Sequence, residues 1–175
     1  MTTQTPRVRH VRGDDWDAIV ALESAAYTPL GLSEGRAALE SRVRASPATC
    51  FVLDLAERLA GYLLALPYPM FRYPDLTRAE SVEFRTGNLH LHDLVVAEDL
   101  RGSGLAKTLL SALFASARSH GFASVSLVAV GGSAPFWASQ GFTEHPGVVP
   151  PDGYGPGARY MSRPVRVEVT AGAGG

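Results

Sequence analysis

The sequence predicts a mixed α/β single domain, with a mostly antiparallel sheet flanked by helices. Three observations lead there. Two apolar runs, residues 49–55 and 59–66, are separated only by the polar turn Ala56-Glu57-Arg58, as in an antiparallel hairpin. A later apolar strand, a long amphipathic helix and a second apolar strand follow one another over residues 88–130, as in a strand–helix–strand unit. The chain has 175 residues, enough for one domain with a sizeable core.

Each element has a local reason. Residues 8–12 alternate and read as a first strand. Asp14 opens a helix carrying Trp16, Ile19, Val20 and Tyr27, and Thr28-Pro29 closes it. Residues 34–43 read as a second helix, stopped by Ser46-Pro47. The hairpin follows. Residues 67–87 hold Pro67, Tyr68, Pro69, Met70, Phe71, Tyr73 and Pro74 and read as a long irregular loop. Its aromatic side chains either wall an apolar substrate pocket or cover a sheet edge. Residues 88–96 form a strand. From 103 to 120, Leu105, Leu109, Leu110, Leu113, Phe114 and Ala117 keep helical spacing, and Gly121 ends the helix. Residues 124–130 form a strand, Gly131-Gly132 a break, and 134–140 a short helix ended by Gly141. Phe142 starts a strand, 146–157 is a Pro/Gly-rich loop, and 158–165 is the last strand. The expected order is β-α-α-β-β-β-α-β-α-β-β. The domain spans 7–165, with flexible ends at 1–6 and 166–175; the tail Ala171-Gly172-Ala173-Gly174-Gly175 can bury nothing.

Composition excludes several classes. A net charge of -1 offers no global field for nucleic acid or an anionic membrane. No apolar run reaches the roughly 18 residues of a membrane span, and the polar start of the chain lacks a signal core, so a cytoplasmic protein is expected. The single cysteine, Cys50, allows no internal disulfide and no cysteine-based zinc site, and reads as a small buried hydrophobe.

The chemistry concentrates between Leu94 and Ala106. An apolar strand runs into Arg101-Gly102-Ser103-Gly104-Leu105-Ala106, and a helix begins at once. First-turn amides lack intrahelical partners and the helix dipole favours an anion, so this point suits a phosphate. A P-loop does not fit, because Arg101 stands where its first glycine should be and Ala106-Lys107-Thr108 replaces Gly-Lys-Ser/Thr. Nor does a dinucleotide fingerprint, which from Gly102 would place its last small residue at Lys107.

The pattern R-x-x-G-x-A from Arg101 to Ala106 resembles the pyrophosphate segment of the GNAT superfamily of acetyl-CoA-dependent N-acetyltransferases. Pro135-Phe136-Trp137-Ala138-Ser139-Gln140-Gly141-Phe142 is similar to that family's F-Y-x-x-x-G-F segment, one helix and one strand later. The resemblance covers residues 7–164 and implies the GNAT fold. Within the superfamily, His90-Leu91-His92-Asp93-Leu94-Val95-Val96 and Ala134-Pro135-Phe136 resemble arylalkylamine (serotonin-type) N-acetyltransferases. The resemblance implies acetyl-CoA as cosubstrate, without a metal. It implies a primary amine acceptor, small and perhaps aromatic in body, acetylated by direct attack in a ternary complex. A protein N-terminal or lysine acetyltransferase and a non-catalytic acyl-CoA-binding module are the alternatives. Pairing with a second subunit through an edge strand near the C-terminus stays open.

The residues carry this as follows. An alkylamine, with a pKa of about 10, is ammonium at neutral pH and must lose a proton before it attacks. A histidine can take it. Strand alternation puts His90 and His92 on one face, roughly 7 Å apart, a gap for bridging waters; His92 is expected nearer the thioester and His90 the outer member. Asp93 points to the opposite face unless a β-bulge re-aims it, and is a secondary candidate. Two histidines at i, i+2 beside an aspartate are also a metal-ligand pattern, but His10, His120 and His145 sit in no matching context. The resemblance implies that Leu94, Val95 and Val96 lend backbone groups to the pantetheine arm. It also implies that Arg101, Gly102, Ser103, Gly104, Leu105 and Ala106 hold the pyrophosphate, with Lys107 adding charge and Ser133 and Phe136 reaching the cofactor. Otherwise Ser133 caps its helix. Trp137 stands at the family's usual tyrosine, read there as general acid. An indole N–H donates but is no usable acid, so Tyr154 or Tyr160 is the candidate acid, if one is needed.

Overall fold

A computed structural model describes residues 4–166. The expectations for residues 1–3 and 167–175 lie outside the described residues. Seven strands, β1 (Arg7–His10), β2 (Phe51–Leu55), β3 (Arg58–Pro67), β4 (Asn88–Val96), β5 (Ser124–Ala129), β6 (Thr143–Glu144) and β7 (Arg159–Pro164), form one sheet in the order β1-β2-β3-β4-β5-β7-β6. All neighbours are antiparallel except β4 and β5. Helices α1 (Trp16–Tyr27) and α2 (Arg36–Ala45) cover one face; α3 (Leu105–Ser119) and α4 (Ala134–Ser139) cover the other. No helix among the described residues is long and apolar enough to cross a membrane.

Two apolar layers hold the sheet. On one side Leu105, Leu109, Leu113 and Phe114 of α3 pack on Leu53, Leu63, Leu89 and Leu127. On the other, Trp16, Ile19 and Leu39 pack on Val52, Tyr62, Leu64 and Val95. The hairpin turn is tighter than its three-residue reading: Ala56 and Glu57 both take positive φ, 56° and 58°, and Arg58 already pairs with Leu55. That conformation matches the twist of the flanking strands. Helix α2 begins two residues later than its apolar pattern suggests, because Ser33 and Glu34 turn inward toward Glu23. Phe142 is a core residue rather than a strand residue, packed edge-on to Trp137 and Phe114.

Two irregularities in the central strands create the site. The parallel pairing of β4 and β5 covers only Asn88–His90 against Ser124–Ser126, so the strands part beyond His90. In β4, Leu91 pairs with Ala65 and Asp93 with Leu64, which leaves His92 as a bulge without a partner. A bulge shifts the side-chain alternation by one. Asp93 therefore turns onto the α1 face with His92, where Tyr62 meets it.

Candidate active site

The loop after β4 leaves its amides free. The N–H of Arg101 donates to the Glu98 carbonyl at 3.3 Å, so Arg101 offers only its side chain. The N–H groups from Gly102 to Lys107 donate to no carbonyl among the described residues, and the first helical bond runs from Thr108 to Gly104 at 3.2 Å. Gly102 and Gly104 hold φ of 81° and 84°, a conformation that costs a side-chain-bearing residue roughly 1–2 kcal/mol. No atom lies within 4 Å of where a Cβ would project at either position. No side chain caps α3, and the Ser103 hydroxyl turns back to the Leu100 carbonyl. The result is a nest of amides at a helix N-terminus, flanked by the exposed Arg101 and Lys107. It opens on a cleft of about 1180 Å³ walled by Leu94, Val96, Leu100, Ser133 and Phe136. Free amides, positive-φ glycines and a long apolar cleft fit a pyrophosphate joined to an extended arm.

The cleft follows the gap between β4 and β5. Ala97 N donates to Ala60 at 2.8 Å, and the Val95 carbonyl lies against Gly61, so these residues turn their polar groups to β3. Strand alternation then turns the N–H and C=O of Leu94 and Val96 to the open side. Of the three backbone positions expected to face the cofactor, Val95 is the exception, since its side chain is in the core and its amide plane serves the sheet. Leu94, Ser133 and Phe136 also wall a middle cavity of about 670 Å³ with His92, Asp93 and Trp137. Ser133 does not cap α4 with its side chain; its hydroxyl donates to the Val130 carbonyl at 2.7 Å.

Tyr27, His92, Asp93, Val128 and Val130 are shared between that cavity and a third, of about 380 Å³, whose further walls are Glu23, Leu32, Glu34, Leu76 and Tyr154. This end is acidic. His92 Nε2 lies 2.5 Å from Glu34 Oε2. Burial pushes the Glu34 carboxyl up, but His92 and the buried Arg42 outweigh it and hold it below the ordinary glutamate value. An ionised Glu34 accepts, so His92 presents an N–H to it through Nε2. Glu23 accepts from the Ser33 hydroxyl and the Glu34 N–H, both at 2.8 Å, and burial raises its pKa. Asp93 accepts from the Tyr62 hydroxyl at 2.5 Å, and its Oδ1 has no partner. Burial pushes the Asp93 carboxyl up to about 6, against the pull of His92 and the hydroxyls of Tyr27 and Tyr62.

That shift has a testable cost. The unfolded chain releases the Asp93 proton near the ordinary value of 3.8, the folded chain only near 6. Stability therefore falls as pH rises between these values and is level above them, a loss of roughly 2–3 kcal/mol. Asp93→Asn keeps the acceptor for Tyr62 and removes the charge. The variant is expected to be more stable than the wild type at pH 7 and to match it near pH 4, by urea unfolding at both pH values. An equal difference at the two would exclude a strained Asp93 carboxylate.

The remaining expected residues fall elsewhere. His90 is fully buried, 3.0 Å through Nδ1 from Ser126 Oγ and stacked near Tyr160. Burial pushes its pKa down to about 3, so it stays neutral. It does not line the cavities that His92 lines. Tyr160 is also buried away from those cavities, its hydroxyl accepting from Phe71 N–H at 2.8 Å. Tyr154 does line the acidic cavity, but its hydroxyl is spent on the Pro74 carbonyl, and burial raises its pKa strongly. Neither tyrosine stands ready to protonate a leaving thiolate. Trp137 packs between Phe136 and Phe142, with ring centroids at 5.0 and 5.4 Å, and faces the middle cavity. Cys50 is buried beneath Ala65, its thiol pushed up to about 12. The loop 67–87 lends only Leu76 to the acidic cavity; Phe71 and Tyr73 pack on His145, Tyr154 and Tyr160, and Tyr68 packs on Phe84 and beside His90.

Several site residues escaped the sequence reading. Glu23 left a trace, since it interrupts an apolar i, i+4 row between Ile19 and Tyr27. Glu34 and Arg42 left none: they read as ordinary helix charges, and His92, which Glu34 holds, lies far along the chain.

The parted strands β4 and β5, with an amide nest at one end and the His92–Glu34 pair at the other, frame one continuous cleft. The family model described as Acetyltransferase (GNAT) family matches residues 16–142. The chain belongs to this family of acetyl-CoA-dependent N-acetyltransferases. Ard1 from Thermoplasma volcanium superposes with a TM-score of 0.71 at 18% identity, covering 92% of this chain and 98% of that one. The ribosomal-protein-S18-alanine N-acetyltransferase from Escherichia coli gives 0.65 at 15% identity, covering 95% and 98%. N-acetylglutamate synthase from Neisseria gonorrhoeae, complexed with coenzyme A and N-acetyl-glutamate, gives 0.71 at 16% identity; the match covers 93% of this chain and 35% of that one. At these identities the likeness is one of fold, and such diverse neighbours do not support the narrower arylalkylamine resemblance. No curated protein matches.

Proposed function

We propose that the chain acetylates a small primary amine, with His92 as the base and Glu34 as the group that orients it. The observation that carries this is the sharing of walls along the cleft, from the amide nest at 102–107 to the acidic cavity at His92. When bound, acetyl-CoA supplies the thioester carbonyl that the amine attacks. The amides of 102–107 hold its pyrophosphate, with Arg101 and Lys107 adding charge, and the free polar groups of Leu94 and Val96 hold its arm. The Leu94 N–H is placed to polarise the carbonyl.

The acidic cavity selects the acceptor. Glu23, Glu34 and Asp93 face one another there, and Arg42 offsets only part of their charge, so a cation is drawn in as ammonium. His92 Nδ1 takes its proton and Glu34 steadies the imidazolium, the arrangement of a carboxylate-oriented base. The nitrogen then forms its bond to carbon as the C–S bond breaks, and the second proton it sheds is taken up by the departing sulfur, which ends as the free thiol. The thiol, with a pKa of roughly 8.5, leaves as thiolate without a dedicated acid. Trp137 packs beside it and offers a hydrogen-bond donor. Tyr27, Leu32, Leu76, Val128 and Tyr154 give the cavity apolar walls, which favours an amine with an apolar body, arylalkyl amines among them.

A panel of arylalkylamines, polyamines, amino acids and peptides, read by free-thiol release from acetyl-CoA, tests the reading. Turnover should favour small amines with apolar bodies. Turnover confined to peptides would replace it with protein N-terminal or lysine acetylation.

A further inference from the structure

Arg42 is a charged side chain with almost no solvent contact, and its partners lie on two sides. Nη2 reaches Glu34 Oε1 at 2.9 Å, and the carbonyls of Asp75 and Arg78 at 3.1 Å each. Nη1 pairs with Glu80. The neighbouring Ser41 hydroxyl accepts from the Glu80 N–H at 2.8 Å. The segment 75–80 is thereby fastened to α2 at several points. The same segment supplies Leu76 to the wall of the acidic cavity. The other oxygen of Glu34 holds His92. One guanidinium thus touches both the segment that borders the acceptor and the carboxylate that orients the base.

We infer that Arg42 is a positioning residue that couples the placement of segment 75–80 to the alignment of His92. The inference rests on the role proposed above for His92. A planar fork suits this task, because it holds several acceptors in fixed directions where an ammonium would act as a point charge. With 75–80 in place, Arg42 is held by Glu80 and two carbonyls and fixes Glu34, which keeps the proton of His92 on Nε2 and Nδ1 free. With 75–80 displaced, Arg42 loses three of its acceptors and turns more fully onto Glu34, which then competes less well for His92. An acceptor that packs on Leu76 would favour the first arrangement, so the base is set when the cavity is filled. The charged and titratable groups around the dyad are Glu23 and Tyr27 of α1, Arg42 of α2, His90 and Asp93 of β4, Glu80 of the loop and Tyr154. Each stays in place in the variants below except the one changed.

Ser41→Ala and Glu80→Gln loosen the segment without removing the arginine, and Arg42→Lys keeps its charge while losing the fork. Two readouts need no turnover: amide exchange over 75–80, and nitrogen NMR of the His92 ring in protein labelled at histidine. Glu80→Gln and Ser41→Ala should speed exchange across 76–80 by at least tenfold. They should also shift the His92 ring signals away from an Nε2–H donor pattern, with Arg42→Lys giving the same direction of change. With the best amine of the panel, kcat/KM should fall tenfold to a hundredfold, the usual loss for outer partners, with an altered pH profile and unchanged coenzyme A affinity by calorimetry. Faster exchange with unaltered His92 signals would make Arg42 a fastening for the loop alone, and unaltered exchange in Glu80→Gln would remove the coupling altogether. Because the ring signals are read without substrate, a failure of the coupling is distinct from a failure to acetylate any amine.

Discussion

Gly104→Glu is expected to weaken acetyl-CoA binding by more than a hundredfold, at least about 2.7 kcal/mol. Gly104 sits at φ 84° immediately before α3, among amides with no other partner. A glutamate there suffers twice. Its backbone is strained by roughly 1–2 kcal/mol in the left-handed region, and its carboxylate enters a nest built for anions, where it competes with the pyrophosphate and repels it. The fold should survive, because no atom lies within 4 Å of the new Cβ. Gly104→Ala separates the two effects, carrying the strain without the charge, and should lose far less affinity. Calorimetric titration decides between them. Undiminished binding to Gly104→Glu would move the pyrophosphate away from this loop.

The second large effect is expected at His92. His92→Ala should lower kcat/KM for the amine by about 10² to 10⁴, the range for a positioned proton acceptor, and change the acidic limb of its pH profile. Acetyl-CoA affinity should hold, since the ring lies beyond the nest. Glu34 keeps Arg42 at 2.9 Å in the variant, so its carboxylate is not left alone in the interior. An unchanged rate and profile would pass the role to Asp93, which shares the same walls and has a raised pKa.

What the sequence disclosed depended on how local the signal was. The strand–loop–helix from Leu94 to Ala106 was legible because its function is written in consecutive residues: apolar alternation, two glycines and the start of a helix. The sheet with helices on both faces followed from period alone. The bulge at His92 was legible only as a condition, since a bulge is decided by the partner strand; the break falls between Leu64 and Ala65, which carry no mark of it. His90 illustrates the limit of alternation. It shares a face with His92, as expected, yet the strands still pair at His90 and part beyond it, so one histidine is sealed and the other opens on the cleft. Glu34 and Arg42 were opaque for a further reason. A charge in an amphipathic helix reads as solvated, and only the packing of 75–80 over α2 buries it.

Direct transfer to an amine at the His92 cavity is tested most directly by a single-turnover experiment. Enzyme in excess over labelled acetyl-CoA is mixed with the best amine of the panel and quenched over time. The label is then divided between protein, amide and remaining thioester. The account predicts one thiol released for each amide formed, no label on the protein at any time, and no release when the amine is left out. Label that accumulates on the protein before the amide appears would contradict it.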